Sequence, residues 1–254
     1  MLKKRLIAVI LVRDGRVVQS VKFKHTNVIH YDAIHAIESF NRWAVDEIII
    51  LNVSKLKDSQ EEFLSVIKKI STECFVPLSA GGWIDSLDYG KILLKSGADK
   101  LVVNTQLYNN PQLIKQLISK FGSQCIVASI DSKKDKEGNE KVMINRGQDN
   151  TGKDVLQWVE EVEQIGVGEI FLNSIDHDGN RKGYNIPLIK ESVKAVNIPV
   201  IAMGGVLTWG HMIQGILETD AAAVAAANIF HYTEHSTKKA KRALLNNNLN
   251  FRKL

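Results

Sequence analysis

The chain has 254 residues, of which 44% are hydrophobic and 24% are charged, and its net charge of +5 is ordinary for a soluble globular protein. Its basic residues are not interleaved with aromatic residues, which argues against nucleic-acid binding. The apolar N-terminal run ends at Arg13-Asp14-Gly15, too early to cross a membrane, and Cys74 and Cys125 show no metal-binding spacing. We therefore expect a cytoplasmic protein with no metal or other cofactor and no nucleic-acid or membrane partner.

Short apolar runs alternate with amphipathic segments along the whole chain. The runs predict eight strands, at 5–12, 47–53, 77–80, 100–104, 125–131, 169–174, 199–203 and 221–226. The helical patterns between them include 61–72, 86–96, 111–121, 155–165, 186–195 and 208–218. This alternation predicts parallel strands joined by right-handed crossovers. Eight such units predict an α/β protein with a single (β/α)8 TIM barrel, and a doubly wound open sheet is the alternative.

The second half of the chain repeats features of the first half. Residues 46–52 resemble 168–174, residues 80–83 resemble 203–206, and residues 7–11 resemble 127–131. The offset is close to half the chain each time, which predicts two half-barrels, about 1–121 and 122–254, within one domain, 1–254. An open sheet gives no reason for such a repeat, so the repeat favours the barrel.

Two long polar segments that contain glycine, 13–31 and 132–153, follow the first and fifth predicted strands. They occupy equivalent places in the two halves. Barrel enzymes keep mobile parts of the active site in loops at the C-terminal ends of their strands. We therefore expect both segments to be loops near the site.

Paired glycines end the third and seventh predicted strands, at Gly81-Gly82 and Gly204-Gly205. Glycine lets backbone N–H groups approach an anion closely. Asn104-Thr105 and Ala227-Asn228 end the fourth and eighth strands, and a helix that starts near Ile229 would direct its dipole at a phosphate. Each half therefore has a candidate pocket for an anionic ligand, although tight turns alone would also explain the glycines.

Carboxylates follow two other strands. Asp131 ends the fifth strand, where a carboxylate is a candidate general acid or base. Asp176 and Asp178 follow the sixth strand, and Asp178-Gly179 is also typical of a simple turn. We expect a catalytic role for Asp131 and leave Asp176 and Asp178 open between catalysis and capping.

Charged residues open four of the strands at their N-terminal ends. We call Arg5, Glu47, Lys100 and Glu169 the charged ring, because two positive and two negative residues there predict ion pairs around the bottom of the barrel. Residues on that face generally serve stability. From the residues alone, the charged ring is therefore interpreted as a stabilising plug.

These motifs together resemble the cyclase subunit of imidazole glycerol phosphate synthase, over nearly the whole chain from Leu2 to about Phe230. The matching motifs are Arg13-Asp14-Gly15-Arg16-Val17-Val18, Gly97-Ala98-Asp99-Lys100, Val103-Asn104-Thr105, Asn150-Thr151-Gly152, Ser174-Ile175-Asp176-His177-Asp178-Gly179 and Gly183-Tyr184. The resemblance implies a duplicated TIM barrel that docks a glutaminase at its bottom face and passes ammonia up its axis. It implies that the charged ring is the ammonia gate and that Asp99 faces the glutaminase.

The resemblance also shows where this chain departs from the family at the top of the barrel. The family's first-strand aspartate is Leu11 here, its second-strand aspartate is Asn52, and its first-loop lysine is Gln19. The third glycine of the strand-three loop is Trp83, and the strand-six threonine is Asn173, which we retain with Asp178 and Gly179 among the expected substrate contacts. Leucine transfers no proton, so only Asp131 remains of the usual carboxylate pair.

These departures indicate a divergent relative. Such barrels resemble the ammonia-supplying subunits of glutamine amidotransferase complexes that amidinate N-acetyl sugars of surface polysaccharides such as lipopolysaccharide, where a third, ATP-using protein activates the sugar. One alternative is a working cyclase, a lyase of histidine biosynthesis. The others are a non-catalytic scaffold barrel and a related isomerase, although such isomerases need a carboxylate where Leu11 stands.

Overall fold

The computed structural model describes residues 3–33, 45–232 and 236–253. Eight parallel strands of these ranges close into a barrel, because each pairs with the next and the strand Ile126–Lys134 pairs with Glu169–Ser174 to complete the circle. They are β1 (Arg5–Arg13), β4 (Glu47–Asn52), β5 (Leu78–Gly81), β6 (Lys100–Val103), β7 (Ile126–Lys134), β10 (Glu169–Ser174), β11 (Val200–Met203) and β12 (Ala223–Ala226). The TIM barrel predicted from the alternation of elements is therefore confirmed.

Helices cover the outside of the barrel between its strands. Those described are α1 (Gln60–Ser71), α2 (Leu87–Lys95), α3 (Thr105–Asn109), α4 (Pro111–Phe121), α5 (Val155–Ile165), α6 (Ile186–Ala195), α7 (Trp209–Thr219), α8 (Ile229–Tyr232) and α9 (Ser236–Asn246). Single 3-10 turns lie at Lys57–Ser59 and Ser123–Cys125. No helix in the described ranges is long and apolar enough to span a membrane.

Local capping explains why helices α4 and α5 begin where the pattern predicts. The Asn110 side chain accepts from Leu113 N at the start of α4, and the Asp154 side chain accepts from Leu156 N at the start of α5. Each satisfies a backbone N–H that the first turn leaves without a partner. Gly166, with φ 99°, then ends α5 in the left-handed conformation that favours glycine.

Two apolar clusters hold the barrel together. The larger cluster packs between the strands and the helices, as in any TIM barrel. The smaller cluster fills the barrel interior and consists of Ile7, Val9, Ile49, Val102, Val127, Phe171, Ile201, Met203, Ala223 and Ala225. Strand alternation points these side chains into the barrel, where they lie between the polar groups at its two ends.

The two long segments predicted as loops are instead antiparallel ribbons. In the first half, β1 pairs with β2 (Arg16–Val21), which pairs with β3 (His25–His30). In the second half, β7 continues to Lys134 and pairs with β8 (Glu140–Ile144), which pairs with β9 (Asp149–Asp154). The prediction of loops was wrong because the buried apolar residues of the ribbons form short runs, Val17-Val18 and Val142-Met143-Ile144, which leave only a weak period-two pattern in otherwise polar segments.

Candidate functional site

Two adjoining cavities open at the C-terminal ends of the barrel strands, which we call the top. The first cavity, of about 320 Å³, reaches down to Val9 and Phe171 in the barrel interior and is lined by Leu11 and Asp131. The second cavity, also about 320 Å³, lies toward the ends of β11 and β12. Both cavities are lined by Asp178, Met203 and Ala227, so they form one continuous candidate site.

Asp131 lies buried in the first cavity between two asparagines. Asn104 Nδ2 donates to Asp131 Oδ2 at 3.0 Å, and Asn173 Nδ2 lies 3.5 Å from Asp131 Oδ1. Burial raises the pKa of Asp131 from 3.8 to about 7; the hydrogen bond from Asn173 opposes this shift and the charge of Asp178 adds to it. A carboxyl group with such a pKa can both donate and accept a proton near neutral pH.

Leu11 lies at the level of Asp131 in the other half of the barrel. In the parallel pairing Leu11 is opposite Leu51 of β4, as Asp131 is opposite Asn173 of β10. Leu11, Leu51, Asp131 and Asn173 thus form one layer of side chains at the top, which is apolar in the first half of the barrel and polar in the second. Asp131 is therefore the single carboxylate among these four side chains. The buried Oδ1 of Asn173 has no hydrogen-bond partner among the described residues.

The second cavity gathers the anion-binding residues predicted for the second half. It is lined by Gly179, Gly204, Gly205, Ala227 and Asn228 together with Gln19 and Arg181. Gly204 and Gly205 have φ values of 108° and 82°, so the turn requires glycine. The predicted helix after Asn228 is α8, a single turn of four residues, and the expected dipole is therefore weak.

Sequence reasoning overlooked Arg181, which supplies a positive charge to the second cavity. Its side chain is exposed, and its guanidinium has no ion pair within the described ranges. A basic residue two positions after Asp178-Gly179 was the signal that could have found it. The second cavity therefore offers both backbone groups and a cation to an anionic ligand.

The first half does not reproduce this arrangement. Gly82 and Trp83, with φ values of 106° and 58°, match the conformations of Gly204 and Gly205, and each pair directly follows its strand. The predicted equivalence of Gly81-Gly82 with Gly204-Gly205 was therefore wrong by one residue. Trp83 occupies the place of the second glycine, and its side chain lines the first cavity.

The ribbon of the second half reaches over the first-half end of the cavity. The backbone N–H of Asn145 donates to Thr105 Oγ1 at 3.1 Å. The guanidinium of Arg146 lies 5.3 Å from the centroid of the Trp83 ring and donates to the backbone carbonyl of Lys55 at 3.2 Å. Thr105, predicted to bind substrate, therefore already has a protein partner, and Arg146 is a cavity residue that sequence reasoning missed.

Three further polar residues at the top, Asp178, Asp176 and Asn52, form hydrogen bonds with other parts of the protein. Asp178 Oδ2 accepts from Ser20 Oγ at 3.0 Å, so it links the first ribbon to the loop after β10, and burial raises its pKa. Asp176 Oδ2 accepts from the backbone N–H of Lys134 at 2.9 Å. Asn52 donates to Ser59 Oγ at 3.1 Å. These contacts favour the capping interpretation for Asp176, whereas Asp178 also faces the cavities.

At the opposite end of the barrel, the charged ring closes on itself. Arg5 pairs with Glu47 at 2.7 Å and also pairs with Glu169. Lys100 pairs with Glu47 at 3.0 Å and with Glu169 at 3.1 Å. Ser79 Oγ donates to Glu47 Oε1 at 2.9 Å. Each acid thus contacts both bases across the barrel axis, as the sequence predicted.

Asp99, predicted to face a partner, is exposed beside the charged ring. Its Oδ2 accepts from the backbone N–H of Leu78 at 2.8 Å, which holds the start of β5. Phe75 lies in the segment that leads into β5 at the same end of the barrel, and 83% of its surface is exposed. An exposed aromatic side chain near charged residues is typical of a protein interface.

No group of three or more His, Cys, Asp or Glu side chains among the described residues could hold a metal ion. The polar groups of the cavities include amides, hydroxyls, carboxylates, backbone groups and two guanidinium groups. This set can bind an anion and move a proton at Asp131.

Comparison with known proteins identifies the family. Residues 5–236 match the family described as Histidine biosynthesis protein. The chain is 38% identical over 244 residues to imidazole glycerol phosphate synthase subunit HisF of Streptococcus mutans serotype c, covering 96% of this chain and 97% of that protein.

Two further relatives have the same extent. Over 253 residues the chain is 43% identical to a protein of Vibrio vulnificus named for imidazole glycerol phosphate synthase subunit hisF2, covering 99% of this chain and 92% of that protein. Over 244 residues it is 34% identical to subunit HisF of Streptococcus sanguinis, covering 96% of each chain. The match to the family and these relatives together show that the chain belongs to the histidine biosynthesis protein family and is a HisF-like barrel.

Proposed function

We propose that this chain is the ammonia-receiving subunit of a glutamine amidotransferase complex that amidinates an N-acetyl sugar for surface polysaccharide. A HisH-like glutaminase docks at the bottom of the barrel, and a third, ATP-using protein activates the sugar. The observation that carries the proposal is the contrast between an intact charged ring, Arg5, Glu47, Lys100 and Glu169, and a top layer where Leu11 replaces a carboxylate.

The charged ring suits a gate because its members are bound to one another across the axis. The side chains of Glu47 and Glu169 are only 2% and 7% exposed, whereas those of Arg5 and Lys100 are 26% and 21% exposed on the bottom face. A partner that draws Lys100 outward would open the ring. Both acids would still contact Arg5.

The barrel interior suits the passage of an uncharged molecule. Ile7, Ile49 and Val127 lie between the charged ring and the first cavity. Entry of a bare ion into such surroundings is costly, whereas ammonia is small and neutral. Ammonia released at the bottom would therefore be favoured over ammonium along this route.

The top layer disfavours ring-closing chemistry. Loss of one positioned acid or base costs about 10²–10⁴ in rate. Here Leu11 and Leu51 present only hydrocarbon to the cavity opposite Asp131. We infer that the barrel delivers ammonia to an acceptor and does not close an imidazole ring.

The test uses a strain of the source organism from which this gene is deleted, complemented with the parent gene, Lys100→Ala or Leu11→Ala. Mass spectrometry of the surface polysaccharide measures the ratio of acetamidino to acetamido sugar. We expect Lys100→Ala to lower the ratio and added ammonium to restore it, because ammonium bypasses the gate. Leu11→Ala should match the parent. Equal losses from both variants would contradict the division of labour between the two ends.

A cyclase of histidine biosynthesis is the second candidate, favoured by Asp131, whose pKa of about 7 suits proton transfer. Two further experiments distinguish the cyclase from the ammonia-receiving subunit. A purified complex with the glutaminase should release ammonia without closing the imidazole ring, and the gene should not restore growth without histidine to a strain that lacks its cyclase. Ring closure at an ordinary rate, or restored growth, would favour the cyclase.

A further inference from the structure

The turns at the two ends of the top site have the same backbone conformation but carry different side chains. Gly205 and Trp83 follow equivalent strands and share the left-handed conformation. At Gly205 a Cβ would overlap the backbone carbonyl of Gly183, so no side chain fits there. At Trp83 the chain holds a large ring in a conformation that costs about 1–2 kcal/mol for a residue with a Cβ. Strain of this kind at a cavity wall points to a function.

The Trp83 ring is held in one position from two sides. Its Nε1 donates to the backbone carbonyl of Ser54 at 3.1 Å, and Arg146 lies over the ring. Its own backbone carbonyl accepts from Gln60 Nε2 at 2.8 Å. A fixed, half-buried indole offers a flat apolar surface at little entropic cost to the ligand that meets it.

Two of the groups that could bind an anion at this end already have protein partners. Thr105 Oγ1 accepts from the backbone N–H of Asn145, and Nη1 of Arg146 donates to the carbonyls of Ser54 and Lys55. Of the carboxylates that line the first cavity, Asp85 and Asp131 do not line the second. A second phosphate at the first-half end would therefore find fewer free donors than a phosphate at the second-half end.

The second-half end keeps what the first-half end has lost. Gly204 and Gly205 line the second cavity with backbone alone, and Arg181 carries a positive charge with no ion pair within the described ranges. Between the two ends lies the buried Asn173 Oδ1, an acceptor without a partner among the described residues. It can accept a hydrogen bond from an N–H or O–H of a ligand.

We propose that Trp83 determines specificity, so that the top site takes a ligand with one phosphate, held at the second-half end, and an uncharged ring that packs on Trp83. The proposal rests on the proposed function only in that the same cavity meets the sugar substrate. An N-acetyl sugar phosphate has the required chemistry, since its ring has an apolar face and its amide N–H can donate to Asn173.

The test is calorimetric titration of the purified full chain with three probes. These are inorganic phosphate, N-acetylglucosamine 1-phosphate, and fructose 1,6-bisphosphate, which carries a phosphate at each end. We expect the sugar monophosphate to bind about tenfold more tightly than phosphate, the usual size of an aromatic packing contribution. The bisphosphate should bind no more than about twofold more tightly than phosphate, because its second anion finds few free donors.

Variants at Trp83 separate specificity from folding. Trp83→Gly should remove the tenfold advantage of the sugar monophosphate and leave phosphate binding within about twofold, whereas Trp83→Phe should retain most of the advantage. Circular dichroism checks that each variant is folded, and the comparison of the three probes on the parent chain carries the test if the glycine variant is not. Arg181→Met should weaken all three probes alike.

Three outcomes would overturn the proposal: tighter binding of the bisphosphate than of the sugar monophosphate, no advantage of the sugar over phosphate, or no binding of any probe. None of these would change the ratio of acetamidino sugar measured for Lys100→Ala. Failure of this proposal is therefore distinguishable from failure of the proposed function.

Discussion

The buried carboxyl group of Asp131 makes a quantitative prediction about stability against pH. The pKa of this group is about 7 in the folded chain, against 3.8 for an ordinary aspartate, chiefly because burial disfavours its charged form. In the unfolded chain the group loses its proton at lower pH. Between these two pKa values the folded state binds more protons, so rising pH destabilises the fold.

The size of the effect follows from the shift. Three pKa units correspond to about 4 kcal/mol over the whole titration, and linkage gives about 2–3 kcal/mol between pH 5 and pH 8. Asp131→Asn removes the ionisation and keeps a side chain of similar shape between Asn104 and Asn173. The unfolding free energy of Asp131→Asn minus that of the parent should therefore rise by about 2–3 kcal/mol from pH 5 to pH 8.

Urea denaturation followed by circular dichroism at pH 5, 6, 7 and 8 measures this difference directly. Asp149→Asn is the matched control, because Asp149 is an exposed carboxylate on the ribbon. A flat difference for Asp131→Asn, or one that falls as pH rises, would refute the reasoning. Asp131 would then be ionised in the folded chain at neutral pH, and its role in proton transfer would lose its physical basis.

Two further predictions concern stability away from Asp131. Asp46 forms an ion pair with Lys241, whose side chain is only 1% exposed. Asp46→Asn should therefore cost about 3–5 kcal/mol of unfolding free energy in urea denaturation, because the buried ammonium of Lys241 would lose the charge that compensates it. Adding Lys241→Met to that variant should recover much of the loss. As the control, Lys194→Met removes an exposed ion pair with Glu191 and should cost less than about 1 kcal/mol. Similar losses from Asp46→Asn and Lys194→Met would contradict the burial argument. Gly205→Ala should cost more than about 2 kcal/mol, because its Cβ overlaps Gly183, whereas Gly152→Ala, also at positive φ but in open space, should cost only about 1–2 kcal/mol. Equal thermal shifts for the two alanine variants would show that backbone strain alone, without steric overlap, limits Gly205.

Much of the barrel could be predicted from local sequence signals. The bounds of α4, α5 and α6 agree with the prediction, because apolar periodicity and capping residues act within a few positions of one another. The charged ring was also predictable. Its members open strands of a closed parallel barrel, and the closure alone brings their side chains together.

The top of the site depended on contacts between distant parts of the chain. Arg146 lies 91 positions from Lys55, whose carbonyl it contacts, and no local pattern links the two. The equivalence of Trp83 with Gly205 depends on backbone dihedral angles, which the glycine spacing misassigned by one residue. The sequence by itself determined the barrel and the ring of charges at its base. Only the tertiary structure decided which polar groups at the top have protein partners, because long-range hydrogen bonds and packing determine which donors remain available to a ligand.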